Sequence, residues 1–245
     1  MLPRSSSLFH FTNSMDVLKA ILKDGFWPRY CLEDVQWQGH ISYEFIAFPM
    51  VCFCDIPISR ISEHVGFYGS FGIGLTKEWG AKNNLNPVIY FSGDNPLHGA
   101  VKSLTGIVHG LTEEPAKQAG LRNVRHILAH SKPTSGRMII SSAPVMKEFY
   151  QESEWRFVPL HDGVSDYLKR EEFQDSSYLS ECNEKSELCR LKFLPTDVRY
   201  IFVPTDSDIP GIMNFLQAEL DHFPSSDLKV LMSRVTSLES VTLDV

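Results

Sequence analysis

Residues 47–58, AFPMVCFCDIPI, constrain the fold more than any other stretch of this chain. A mostly apolar run of that length, stopped by Asp55 and Pro57, reads as a strand buried within a sheet. The opening residues 8–12, LFHFT, read as a second strand, and Asn13 or Ser14 can cap the helix that follows. Val17, Leu18, Ile21 and Leu22 make one apolar stripe on that helix, and Gly25 can close it in a left-handed conformation. His10 therefore stands at a strand end just before a helix, where a side chain can open into a cleft.

A helix or loop from Ser59 leads to residues 66–75, GFYGSFGIGL, whose four glycines imply tight turns or close backbone approach. Asn86 and Pro87 precede a short strand over 88–91. Residues 96–130 are helical in pattern and read as an insertion over the sheet, followed by a turn from Lys132 to Gly136. Residues 147–159 read as a strand, and the polar run 167–186 as a solvated helix or excursion. Two last strands, 198–203 and 235–243, flank a helix over 208–222. Strands outnumber any regular βαβ rhythm and no repeat or low-complexity tract occurs, so the fold class is α+β. With 245 residues, 43% of them hydrophobic, the chain can bury a full core, and one domain over 1–245 is expected.

No run approaches the roughly 20 apolar residues of a membrane-spanning helix, and the N-terminus MLPRSSSLFHFT holds no apolar stretch of signal-peptide length. The expectation is a soluble, cytoplasmic protein without a membrane partner. Cys31, Cys52, Cys54, Cys182 and Cys189 are odd in number and lack zinc-site spacing, which points to reduced, metal-free thiols. A net charge of −7 removes any global pull toward nucleic acid and leaves room only for a local basic patch.

The residues with chemical potential concentrate in FYQESEWRFV. Strand alternation there places Tyr150, Glu152, Glu154 and Arg156 on one face, with Phe149, Trp155 and Phe157 on the other. The charged face then meets either water, as an ordinary surface ladder, or a polar cleft. The glycines of 66–75 are in the wrong order for a dinucleotide fingerprint, so that segment is either a bland turn or a loop in which Tyr68 stacks on a flat ring. His126 and His130 lack the glutamate of HExxH, and no GxSxG elbow appears. His10 alone reads either as a hydrogen-bonded structural histidine or as a catalytic one.

Taken together, LFHFT with VLKAILKDGF, PMVCFCDIPIS, YGSFGIGLTKEW, NPVIYF, the KPxxG at Lys132 to Gly136, and FYQESEWRFVP resemble the abortive phage-resistance AbiGi family over about residues 8–160. That resemblance implies a phage-defence role as the antitoxin of a two-gene system, with a cognate toxin as partner. A strand histidine before a capped helix, a later tyrosine beside glycines and an E-x-E strand also resemble the ADP-ribosyltransferase superfamily. This second resemblance implies a split β-sheet with flanking helices, NAD as substrate, and a nucleic acid or protein as acceptor. It implies His10, Tyr68 (or Tyr43 in its place) and Glu154 as the catalytic set, with Glu152 orienting the acceptor. His10, Thr12, Tyr68, Gly69 and Arg156 would hold NAD, and the carboxylate of Glu154 would stabilise the positive charge that develops on the ribose. The strands of His10 and Glu154 are then expected side by side, both side chains opening into one cleft. The alternative is a non-catalytic module that binds and neutralises a toxin.

Overall fold

The computed structural model describes residues 5–39, 43–140 and 143–243. In chain order the strands are β1 (Ser7–Thr12), β2 (Arg29–Asp34), β3 (Phe45–Cys54), β4 (Phe71–Thr76), β5 (Asn86–Pro87), β6 (Ile89–Phe91), β7 (Ser131–Pro133), β8 (Ser135–Ile140), β9 (Ala143–Glu148), β10 (Glu154–Phe157), β11 (Leu168–Lys169), β12 (Val198–Val203) and β13 (Val235–Ser237). The helices are α1 (Met15–Asp24), α2 (Ile61–Tyr68), α3 (Lys77–Lys82), α4 (Pro96–His109), α5 (Glu114–Ala129), α6 (Arg170–Gln174), α7 (Ser176–Ser186), α8 (Ile209–Glu219), α9 (Ser225–Met232) and α10 (Leu238–Leu243). The class is α+β with a mixed sheet. The chain divides into two compact units, one drawn from residues 1–27, 52–85 and 190–245, the other from 28–51 and 86–189.

In the first unit β1 pairs antiparallel with β4, β4 with β12, and β12 parallel with β13, while β1 meets the end of β3 at Phe9 and Cys54. Both edges of β1 are thus occupied by β4 and β3. The expected pairing of the His10 strand with the Glu154 strand does not occur, and β10 pairs instead with β5. The reason lies in register: Phe9 and Phe11 stand opposite Gly74 and Gly72, and a Cβ on Gly72 would come within 2.5 Å of the Phe11 ring. The glycines of β4 make room for two phenylalanines. Both lie within the strand and not in a turn. Phe9, Phe11, Cys54, Ile56, Ile61 and Phe202 close one apolar core.

Helix α1 is capped by Ser14, whose side chain accepts from the backbone of Asp16 and Val17, and ends at Gly25 with φ +85°. Leu18, Ile21 and Leu22 are buried, but Val17 is 45% exposed and leaves the expected stripe. The expected last strand over 235–243 is shorter than its apolar pattern suggests: β13 ends at Ser237, and α10 takes residues 238–243. Ser237 hydrogen-bonds the backbone of Ser240, a cap that turns the chain into a helix.

The second unit is built around β2 and β3, antiparallel from Arg29 opposite Met50 to Asp34 opposite Phe45, with β11 also against β3. Residues 96–130 form the helices α4 and α5. Helix α5 runs into β7, which pairs parallel with β6. Thus Lys132 lies in a strand where a turn was expected. The polar run 167–186 holds α6 and α7, and Cys182 of α7 packs with Tyr30, Ala47, Val164 and Leu168 in this unit's core.

Candidate functional site

The segment that sequence alternation reads as one strand from 147 to 159 is interrupted. β9 ends at Glu148, a single 3-10 turn covers Phe149–Glu152, and Ser153 takes a left-handed conformation at φ 45° before β10 begins. The turn breaks the alternation, and Tyr150 swings out to 61% exposure. Glu152, Glu154 and Arg156 turn inward, at 5%, 6% and 0% exposure. The charged side of the segment faces neither water nor an open cleft, and Trp155 and Phe157 are only half-buried. Burial is possible because each charge finds a partner within the same unit.

Arg156 is the centre. Its Nε donates to Glu154 Oε1 at 2.7 Å, its Nη2 to Glu154 Oε2 at 3.2 Å and to Glu33 Oε2 at 3.1 Å, and its Nη1 to the Ala129 carbonyl at 2.7 Å. The fork ties together β10, β2 and the last turn of α5, using the planar geometry that distinguishes arginine from lysine. Lys132 Nζ adds a bond to Glu154 Oε2 at 2.9 Å and stands 4.3 Å from the centre of the Phe149 ring. It also lies 3.6 Å from Glu152, whose other oxygen meets Lys147 Nζ at 2.5 Å. Three cations therefore face three carboxylates, and the formal charge of the cluster is zero.

Burial alone would lower the pKa of Lys132, but the carboxylates of Glu154, Glu33 and Glu152 outweigh it and hold the ammonium above the ordinary lysine value. Tyr90, whose hydroxyl oxygen accepts from the Glu154 amide at 2.9 Å, is pushed up to about 12, chiefly by burial. The Cys31 thiol is likewise pushed up to about 12, by burial first and by Glu33 second, so it stays protonated. His130, at the end of α5, is lowered by burial.

Of the residues singled out in the sequence, Glu152, Glu154 and Arg156 come together here. Their partners are not singled out there: Glu33 and Lys132 lie on β2 and β7, which carry no alternation that marks them as strands, while Lys147 and Tyr90 lie on segments read as strands with no local pattern that links them to Glu154. His10, Thr12, Tyr68 and Gly69 belong to the first unit. The His10 ring packs on Phe26 and Phe53, with centroids 5.2 and 5.6 Å away, and its Nδ1 lies 2.8 Å from the Cys52 carbonyl oxygen. A carbonyl only accepts, so Nδ1 carries the proton, and burial lowers the pKa of the ring. Tyr68 ends α2, stacks on His64 at 4.4 Å and packs against the Phe9 and Phe11 core. Neighbouring residues of a strand point to opposite faces. Phe11 and Tyr68 thus share one side of β1 and His10 takes the other, so the first unit does not bring the histidine and the tyrosine together. Gly69 has φ +110°, and a Cβ there would overlap the Thr12 carbonyl, which accounts for glycine at that position.

Among the described residues no group of three or more His, Cys, Asp or Glu side chains could hold a metal ion, and no helix is long and apolar enough to cross a membrane. A family described as "Putative abortive phage resistance protein AbiGi, antitoxin" matches residues 24–204. The chain belongs to the AbiGi family. A relative from Lactococcus lactis subsp. cremoris, named "Abortive phage resistance protein AbiGi", is 25% identical over 248 residues, covering 89% of this chain and 99% of that protein. No solved structure matches the chain. The AbiGi match takes in the whole ionic cluster, from Glu33 to Arg156, while β1 with His10 lies before it.

Proposed function

We propose that this AbiGi protein serves abortive phage resistance as an antitoxin-like binding module that neutralises a partner toxin, and that the Arg156 cluster is a rigid ionic core of that module. The observation that carries this reading is the saturation of Glu154: both carboxylate oxygens are engaged, one by Arg156 and the other by Arg156 and Lys132. A carboxylate that is to stabilise positive charge on a ribose needs an unbalanced field at that point. In a neutral cluster the field of Glu154 is spent on its own neighbours.

The test is expression in the bacterial host, alone and together with the product of the gene adjacent to its own, tested as the toxin. The expected result is normal growth with this chain alone, growth arrest by that neighbour alone, restored growth when the two are expressed together, and their co-purification. Growth arrest by this chain alone, together with NAD turnover by the purified protein that is lost in Glu154→Gln, would replace this reading with an ADP-ribosyltransferase. In that reading His10, Tyr68, Glu152 and Glu154 act on NAD, and the acceptor is a nucleic acid or a protein.

A further inference from the structure

A cavity of about 340 Å³ lies in the second unit between α5, α7 and the loop over residues 162–166, and none of its lining residues belongs to the Arg156 cluster. Its volume is that of a small-molecule site. Tyr178, Cys182 and Lys185 occupy positions i, i+4 and i+7 of α7, so one helix face supplies three of the lining groups. Val164 and Cys182, both buried, and the exposed Tyr178 are its apolar lining residues.

The loop is held in place before any ligand arrives. Arg125 Nε donates to Asp166 Oδ2 at 2.6 Å, Tyr30 donates to the Ser165 carbonyl at 2.6 Å, and the Val164 amide donates to the His161 carbonyl at 3.1 Å. Such preorganisation removes part of the ordering cost of binding.

Charges at the mouth come in pairs. Arg122 Nη1 meets Asp162 Oδ1 at 3.1 Å, and the Asp162 side chain is wholly exposed. Lys185 Nζ meets Glu181 at 2.7 Å, and Asp166 is committed to Arg125. Exposed pairs of this kind contribute little and exchange readily. A ligand bearing only negative charge would displace Asp162 from Arg122 and then face that freed carboxylate. One bearing only positive charge would take Asp162 and strand Arg122. A ligand with both signs on adjacent atoms exchanges with the pair while every ion keeps a partner.

We infer that this cavity binds a free α-amino acid, with the ligand carboxylate on Arg122, its ammonium on Asp162, and its side chain toward Val164, Cys182 and Tyr178. The experiment is ligand-observed NMR titration of the full chain with the common free amino acids, with adenosine monophosphate and spermidine as purely anionic and purely cationic probes. Saturable binding of at least one amino acid is expected, lost when its amine is acetylated or its carboxylate amidated. Arg122→Gln should weaken it about tenfold, the effect of removing one charge-assisted hydrogen bond, and Asp162→Asn, at a wholly exposed carboxylate, about twofold to fivefold, with melting temperatures unchanged. The inference is overturned if no amino acid saturates, if either single-sign probe binds more tightly than every amino acid, or if the two folded variants bind like the parent.

Discussion

The two units bury polar side chains by opposite means. In the first, His10 is packed between aromatic rings with one hydrogen bond to a backbone carbonyl, and burial keeps it neutral. In the second, Arg156 and Glu154 are more deeply buried and remain charged, because the guanidinium has three protein groups around it and the carboxylate has two cations. The difference is one of partners. A group with a single neutral partner escapes the cost of desolvation by losing its charge, whereas a group with several charged partners keeps its charge and becomes a structural tie.

The contrast is broken most directly at Arg156. Replacing it with Met leaves Glu154, Glu33 and the Ala129 carbonyl without their shared donor, and should cost about 3–5 kcal/mol of stability by urea unfolding. Adding Glu154→Leu should restore a good part of that loss, since removing both members of a buried pair is far milder than removing one. A single-variant loss below about 1 kcal/mol would show that water already reaches the cluster. In the first unit the comparable probe is steric. Gly72→Ala drives a methyl group into the Phe11 ring and should destabilise by about 1–3 kcal/mol, the usual effect of overpacking. An unchanged unfolding midpoint would mean that β1 and β4 can move apart.

Mild acid sharpens the comparison. His10, His126 and His130 all have pKa values lowered, chiefly by burial. A ring whose folded pKa lies below its unfolded value of about 6.5 takes up fewer protons when folded. Its contribution to stability is therefore complete above about pH 6.5 and is lost as pH falls below that toward the folded pKa, by at most about 1.4 kcal/mol per pH unit for each ring. Unfolding midpoints at pH 7.5 and 5.5 should differ, with the acid sample weaker, and His10→Gln should flatten that difference. Equal midpoints would remove the neutral-burial account of His10. The smallest effect is expected at Lys23, whose pair with Glu219 is 2.6 Å long but lies in solvent. Lys23→Ala should leave the melting temperature unchanged, which confirms that short distance without burial ties nothing together.

How much of the site was legible in the sequence follows from which cues are local. ESEWR marks the segment, since two glutamates and an arginine beside aromatic residues invite suspicion in any context. Its inward turn depends on Ser153 at positive φ and on the 3-10 turn before it, and neither carries a glycine or proline signal. Lys132 stands 22 residues from Glu154 and Glu33 stands 123 residues from Arg156, so no local pattern links them.

By itself the sequence determined the α+β class, the buried strand that stops before Asp55, the helix capped at Asn13 or Ser14, the helices of 96–130 and membership of the AbiGi family, because these rest on apolar periodicity, capping chemistry and motif. Only the tertiary structure decided that β4 and β3, and not β10, border β1, that the glycines of β4 serve Phe9 and Phe11, and that the charged face of FYQESEWRFV turns inward. Those outcomes depend on which distant groups can satisfy a buried strand edge, ring or charge, and a one-dimensional pattern does not contain that information.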